Sequence, residues 1–130
     1  MSSEKECPQA GQFSWNELVA IDEAVAKQFY AGLFDWKAEA FGGPANYTLF
    51  KKGDAMVGGM MKCPDPGGAA HWLAYVTVDD VDATAATAVK LGGKVVVNPF
   101  DVPTVGRIAV LVDPQGAAIG IFKAAAGSGM

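Results

Sequence analysis

A pattern written twice constrains this chain more than any other feature. The segments Trp15-Asn16-Glu17-Leu18-Val19-Ala20-Ile21-Asp22 and Trp72-Leu73-Ala74-Tyr75-Val76-Thr77-Val78-Asp79 both read W-x6-D. Each leads from a strand-like run into a helix-like one, which points to a duplicated unit whose copies fold alike. In the first copy a strand over 13–20 meets Asp22, whose carboxylate can cap the free N–H groups of a helix start. Ala24, Val25, Phe29, Leu33 and Phe34 then recur at helical spacing. In the second copy Tyr75 to Val78 precedes Asp79-Asp80. Val81, Ala85, Ala88, Val89 and Leu91 follow as a helix that Gly92-Gly93 stops.

Three short β-like runs come after each helix. They are Lys37 to Phe41, Tyr47 to Lys51 and Ala55 to Met61 in the first copy, and Lys94 to Asn98, Arg107 to Val112 and Ala117 to Phe122 in the second. Turn chemistry separates them at Gly42-Gly43-Pro44, Lys52-Gly53-Asp54 and Asp113-Pro114-Gln115-Gly116. The order βαβββ, repeated, makes the expected class α+β, with module one at about 12–62 and module two at about 71–124. The proline- and glycine-rich stretch 63–70 suits a linker. At 130 residues, with 51% hydrophobic and only 18% charged positions, the two modules are expected to share one core as a single domain over 1–130.

Charge excludes some partners. A net charge of −4 and a lone arginine, Arg107, among scattered lysines do not build the clustered basic surface that phosphate backbones require, so no nucleic acid is expected. The N-terminus is polar and no segment approaches the length of a membrane span, which gives the expectation of a cytoplasmic chain with no membrane partner. Cys7 and Cys63 have neither metal-ligand spacing nor a disulfide framework.

The duplicated order, together with Asp22-x6-Phe29-Tyr30, Val78-Asp79-Asp80, Leu91-Gly92-Gly93 and Asp113-Pro114-Gln115-Gly116, resembles the vicinal oxygen chelate superfamily of glyoxalases, bleomycin-resistance proteins and extradiol dioxygenases. The resemblance runs from about 12 to 124. It implies two tandem modules forming a half-open barrel, a ligand in the cleft between them, and metal ligands on the first and fourth strand of each module. It also suggests a homodimer.

Carried onto this chain, the four metal positions fall at Trp15, at Gly58 or Gly59, at Leu73 or Trp72 depending on whether the helix start or the internal repeat sets the register, and at Gly120. None offers imidazole or carboxylate, so no metal and no cofactor are expected. A pairing of His71 with Glu17, each sharing a strand face with a transferred position, stays open as an alternative metal site.

By strand alternation Trp15, Glu17 and Val19 share one face, which the resemblance makes the concave one. Glu17 is the candidate catalytic residue, either as a general base or as a hydrogen-bond anchor, against the plainer reading of a solvated or paired carboxylate. Tyr75 and Leu73 join it as candidate ligand-binding residues. Phe100 and Arg107 are added from the Asn98-to-Pro103 stretch, read as a cleft-rimming loop, and from the strand beyond it. Trp72, Phe50 and Met60 are apolar lining or plain core by the same logic. The resulting expectation is a small-molecule-binding protein for an aromatic or cationic ligand. The alternative is a lyase, isomerase or dioxygenase of the same fold.

Overall fold

The structure, a computed structural model, describes residues 9–42, 47–63, 67–102 and 105–125. Cys7, Gly43-Pro44, Pro64-Asp65-Pro66 and Pro103 lie outside the described residues. The elements run β1 (Phe13–Ala20), α1 (Glu23–Phe34), β2 (Lys37–Gly42), β3 (Tyr47–Lys52), β4 (Ala55–Lys62), β5 (His71–Thr77), α2 (Val81–Lys90), β6 (Lys94–Val102), β7 (Gly106–Val112) and β8 (Ala118–Ala124). The order is βαβββ twice over, an α+β fold.

Each module builds its sheet in the same way. In the first the strand order is β2-β3-β4-β1, and in the second β6-β7-β8-β5. The strand before the helix lies parallel to the last strand of its own module, β1 beside β4 and β5 beside β8, while the remaining pairs are antiparallel hairpins. A parallel pair needs a crossover, and the helix supplies it. Packing divides the chain into two compact units: Trp15–Leu73 forms one, and the chain on either side of it the other. Within that second unit, the segment before β1 is tied to the end of β5 by Gly11 N–H donating to the Thr77 carbonyl and Thr77 N–H donating to that of Gln12, both at 2.8 Å.

The helix starts follow from the carboxylates before them. Asp22 Oδ1 accepts from Val25 N–H at 3.1 Å, and Asp80 Oδ1 accepts from Ala83 N–H at 3.0 Å. The cap of α2 is therefore Asp80, one residue beyond the aspartate of W-x6-D. Counted from the two caps, equivalent positions in the strands before the helices lie 58 apart, so Trp15 matches Leu73 and Glu17 matches Tyr75. The two tryptophans that drew attention to the repeat are not structural equivalents.

Under α1 the core is Leu18, Ala20, Phe50 and Met60, with Ala26, Tyr30, Trp36 and Val57 packed against it. Phe50 and Met60, 1% and 0% exposed, thus sit on the helix side of the sheet as core residues and not in a cleft; each stabilises by about 2–3 kcal/mol through burial. Trp72 lies on this side as well, its Nε1–H donating to Tyr30 Oη at 3.1 Å and its ring edge-on to Tyr30 and Trp36. Under α2 the core is Val81, Ala85, Ala109, Leu111 and Ile121.

One sequence expectation is corrected. Asn98 to Val102 is no cleft-rimming loop, because β6 continues through it to Val102, pairing Phe100 with Ile108 and Asp101 with Arg107. Register shifts between Val95 and Val97 and between Val97 and Phe100 absorb the extra residues. Pro99 has no N–H to offer a ladder, and it is tolerated at this bulge on the outermost strand of its sheet.

Candidate functional site

The face of the first module turned away from α1 is built by alternation. Leu18 and Ala20 point to the helix, so Trp15, Glu17 and Val19 point the other way. Gly59 lies between Glu17 of β1 and Leu49 of β3 in the ladder, and Tyr47, two residues before Leu49, shares their side. The Tyr47 hydroxyl lies directly over Gly59, so close that a Cβ on Gly59 would collide with it. Trp15 Nε1–H donates to Tyr47 Oη at 2.8 Å, and Tyr47 is hydrogen-bonded in turn to the Glu17 carboxylate. Glu17 is only 3% exposed. The result is a run of polar groups, indole to phenol to carboxylate, on an otherwise apolar face.

Electrostatics fix the direction of that run. Burial, and next the negative charge of Glu17, push the Tyr47 phenol well above the ordinary tyrosine range, with the Trp15 hydrogen bond pulling the other way. Tyr47 is therefore a neutral donor to Glu17 and no base. Sequence reasoning missed it. Two strand-interior glycines side by side were the signal, because such a residue marks a close approach by something else.

The second module repeats the device with another side chain. Tyr75, 2% exposed, stands across from Gly120 in the β5–β8 ladder, and its ring occupies the space a Cβ on Gly120 would need. Phe100 pairs with Ile108, and Ile108 with Phe122, on the side of this sheet away from α2. Leu73 is buried and Phe100 is 38% exposed. Arg107 lies on the helix side. Its Nε and Nη2 donate to the Asp82 carboxylate at 2.8 and 3.0 Å, and its Nη1 donates to Asp101 at 3.1 Å. Those bonds hold Asp82 below the usual carboxylate range and keep Arg107 charged. The structure thus brings Trp15 and Glu17 together, sets Tyr75 and Phe100 on the corresponding face of the other module, and engages Arg107 elsewhere.

The positions at which the resemblance places metal ligands do not fit a divalent ion. The fourth-strand position of module one is Gly59, equivalent to Gly120, whereas Gly58 faces Trp72 and the carbonyl of Asn16. Trp15, Leu73 and two tyrosine-covered glycines offer no metal donor. His71 is exposed, its Nδ1 2.8 Å from the Ala69 carbonyl. Among the described residues no three His, Cys, Asp or Glu side chains converge in a way that could hold a metal ion. A groove of about 340 Å³ beside the start of α2, lined among others by Asp79, Asp80, Thr84 and Thr87, contains none of the candidate residues. Its threonine hydroxyls donate back to the Asp80 and Ala83 carbonyls of the helix.

Residues 12–121 match the Glyoxalase/Bleomycin resistance protein/Dioxygenase superfamily. The chain belongs to this superfamily. Among curated relatives, CFP32 of Mycobacterium tuberculosis, which carries a provisional glyoxylase name, is 47% identical over 120 residues, covering 90% of this chain and 46% of that protein. The anthracycline biosynthesis protein DnrV of Streptomyces peucetius is 32% identical, covering 87% of this chain and 47% of its own length. The chain spans about half the length of the curated relatives it matches.

Solved structures share the fold at lower identity. The Mn(II)-bound glyoxalase of Novosphingobium aromaticivorans matches with a TM-score of 0.58 at 20% identity, over 88% of this chain and 39% of that one. Methylmalonyl-CoA epimerase of Mycobacterium tuberculosis matches at 0.59 and 14% identity, over 92% of both chains. No helix among the described residues is long and apolar enough to cross a membrane.

Proposed function

We propose that this chain binds a small organic molecule without a metal, using the Trp15–Tyr47–Glu17 face of its first module. The observation that carries this reading is the hydrogen-bonded run over Gly59, which puts a neutral phenol and a buried carboxylate where superfamily enzymes are expected to hold a metal ligand. An aromatic surface beside one carboxylate suits a ligand with a planar ring system and a cationic or hydrogen-bond-donating group. The Streptomyces relative is named for anthracycline biosynthesis, which makes fused-ring aromatic compounds the first class to try.

The test is thermal stabilisation by such compounds in wild type and Glu17→Gln. A ligand that binds only the folded chain raises stability by RT ln(1 + [L]/Kd), so the shift should shrink in Glu17→Gln. An equal shift in both proteins would remove Glu17 from the site. A second reading, catalysis with Glu17 as general base, is favoured by the glyoxylase name of the mycobacterial relative. Metal analysis of purified protein addresses the metal-dependent form of it, since stoichiometric zinc, nickel, iron or manganese would overturn the metal-free proposal.

A further inference from the structure

The Tyr47 side chain occupies the first module's site in the way a bound molecule would. The hydroxyl end of its ring lies on Gly59, where only a missing side chain leaves room for it. Its oxygen sits between a donor, Trp15 Nε1–H at 2.8 Å, and an acceptor, the Glu17 carboxylate. The backbone that carries this ring is held at one edge. Tyr47 is the first residue of β3 and pairs with Gly42 across a register shift. Among the described residues the ladder to β4 begins only at Thr48, opposite Met60. Thr48 and Phe50, by contrast, are buried and laddered on both sides. A ring anchored at a strand end, behind a single ladder pair, is able to swing away while the sheet stays whole.

We propose that Tyr47 is a gate, and that the ligand enters by replacing its phenol between Trp15 and Glu17 with an aromatic hydroxyl of its own. This rests on the binding face proposed above and narrows what that face accepts. One oxygen has to accept from an indole N–H and donate to a carboxylate, with a flat ring attached to lie over Gly59. Neutral phenols and hydroxylated fused rings meet all three demands. Ethers and ketones lack the donor, an ammonium group lacks the acceptor, and a carboxylate brings like charge against Glu17. An incoming phenol exchanges hydrogen bonds one for one. Its apparent affinity is therefore set by the fraction of molecules in which Tyr47 has moved aside.

The probes are phenol and toluene, which differ by a hydroxyl in place of a methyl group. The deciding measurement uses wild type with isotope-labelled tyrosine rings, the Tyr47 resonance being assigned with Tyr47→Phe. That ring should become accessible to a soluble paramagnetic reagent when phenol is added and stay shielded with toluene. In a parallel titration Tyr47→Ala should bind phenol at least about tenfold more tightly than wild type, because the closed gate no longer competes. A residue that only lines the site would weaken binding when truncated. The variant should also prefer phenol to toluene. A Tyr47 ring that stays shielded at saturating phenol, phenol binding that Tyr47→Ala weakens, or equal binding of the two probes would each overturn the gate. Failure of the underlying face is separately visible: fused-ring compounds would stabilise wild type and Glu17→Gln equally, which overturns the face and the gate together.

Discussion

Gly120 and Tyr75 face each other across the β5–β8 ladder, and the side chain that Gly120 lacks is the volume the Tyr75 ring fills. Adding a methyl group there forces the ring or the strands to move. Gly120→Ala should cost about 1–3 kcal/mol in urea unfolding. Combined with Tyr75→Leu it should cost clearly less than the sum of the two single changes, because the collision has been removed. Strict additivity would show that the ring does not need this space.

Tyr47→Phe keeps the ring over Gly59 and deletes the hydroxyl. It leaves the Trp15 indole N–H and a Glu17 oxygen each short of a partner, at a cost of about 1–3 kcal/mol. Tryptophan fluorescence during denaturation reads this directly, and a change below a few tenths would contradict the network.

The same phenol gives stability an alkaline limit. Its folded pKa is raised, so its contribution is fully present below the unfolded value near 10 and is lost as pH rises beyond it. Absorbance at the tyrosinate band should show a phase that appears only as the protein unfolds. In Tyr47→Phe that phase should lose amplitude, and the fall in stability above pH 10 should be shallower.

Arg107 offers the opposite sign at acid pH. Asp82 is held below its ordinary value by the guanidinium, so what the pair contributes is present above about pH 4 and fades as pH falls through the lowered pKa. Arg107→Gln should flatten the acid limb of the stability curve and reduce its salt dependence, as expected of an exposed pair. An unchanged acid limb would contradict the pairing of Arg107 with Asp82.

Capping separates the two adjacent aspartates. Asp80→Ala should cost about 1 kcal/mol, and Asp79→Ala only a few tenths. The reverse ranking would restore the register implied by W-x6-D.

Helix and strand periodicity, turn residues and the duplicated order made both modules legible from the chain alone, because each signal is local. What escaped was non-local. The pairing of β6 through Pro99 depends on bulges opposite β7, which no spacing in the sequence announces. Tyr47 meets Trp15, 32 residues away, only once β1, β4 and β3 lie side by side. Glu17 was recognisable as a buried candidate by alternation, but its phenol partner was not. The matching tryptophans misled because chance identity is hard to tell from equivalence without the helix caps.

The irregular course of β6 bears on how the molecule survives at high concentration. A long, flat outer strand displays an unbroken row of backbone donors and acceptors, an open invitation to polymerise edge to edge. Here the row is broken twice within nine residues and lacks a donor at Pro99. A neighbouring chain that tried to extend the sheet would find no continuous register to copy.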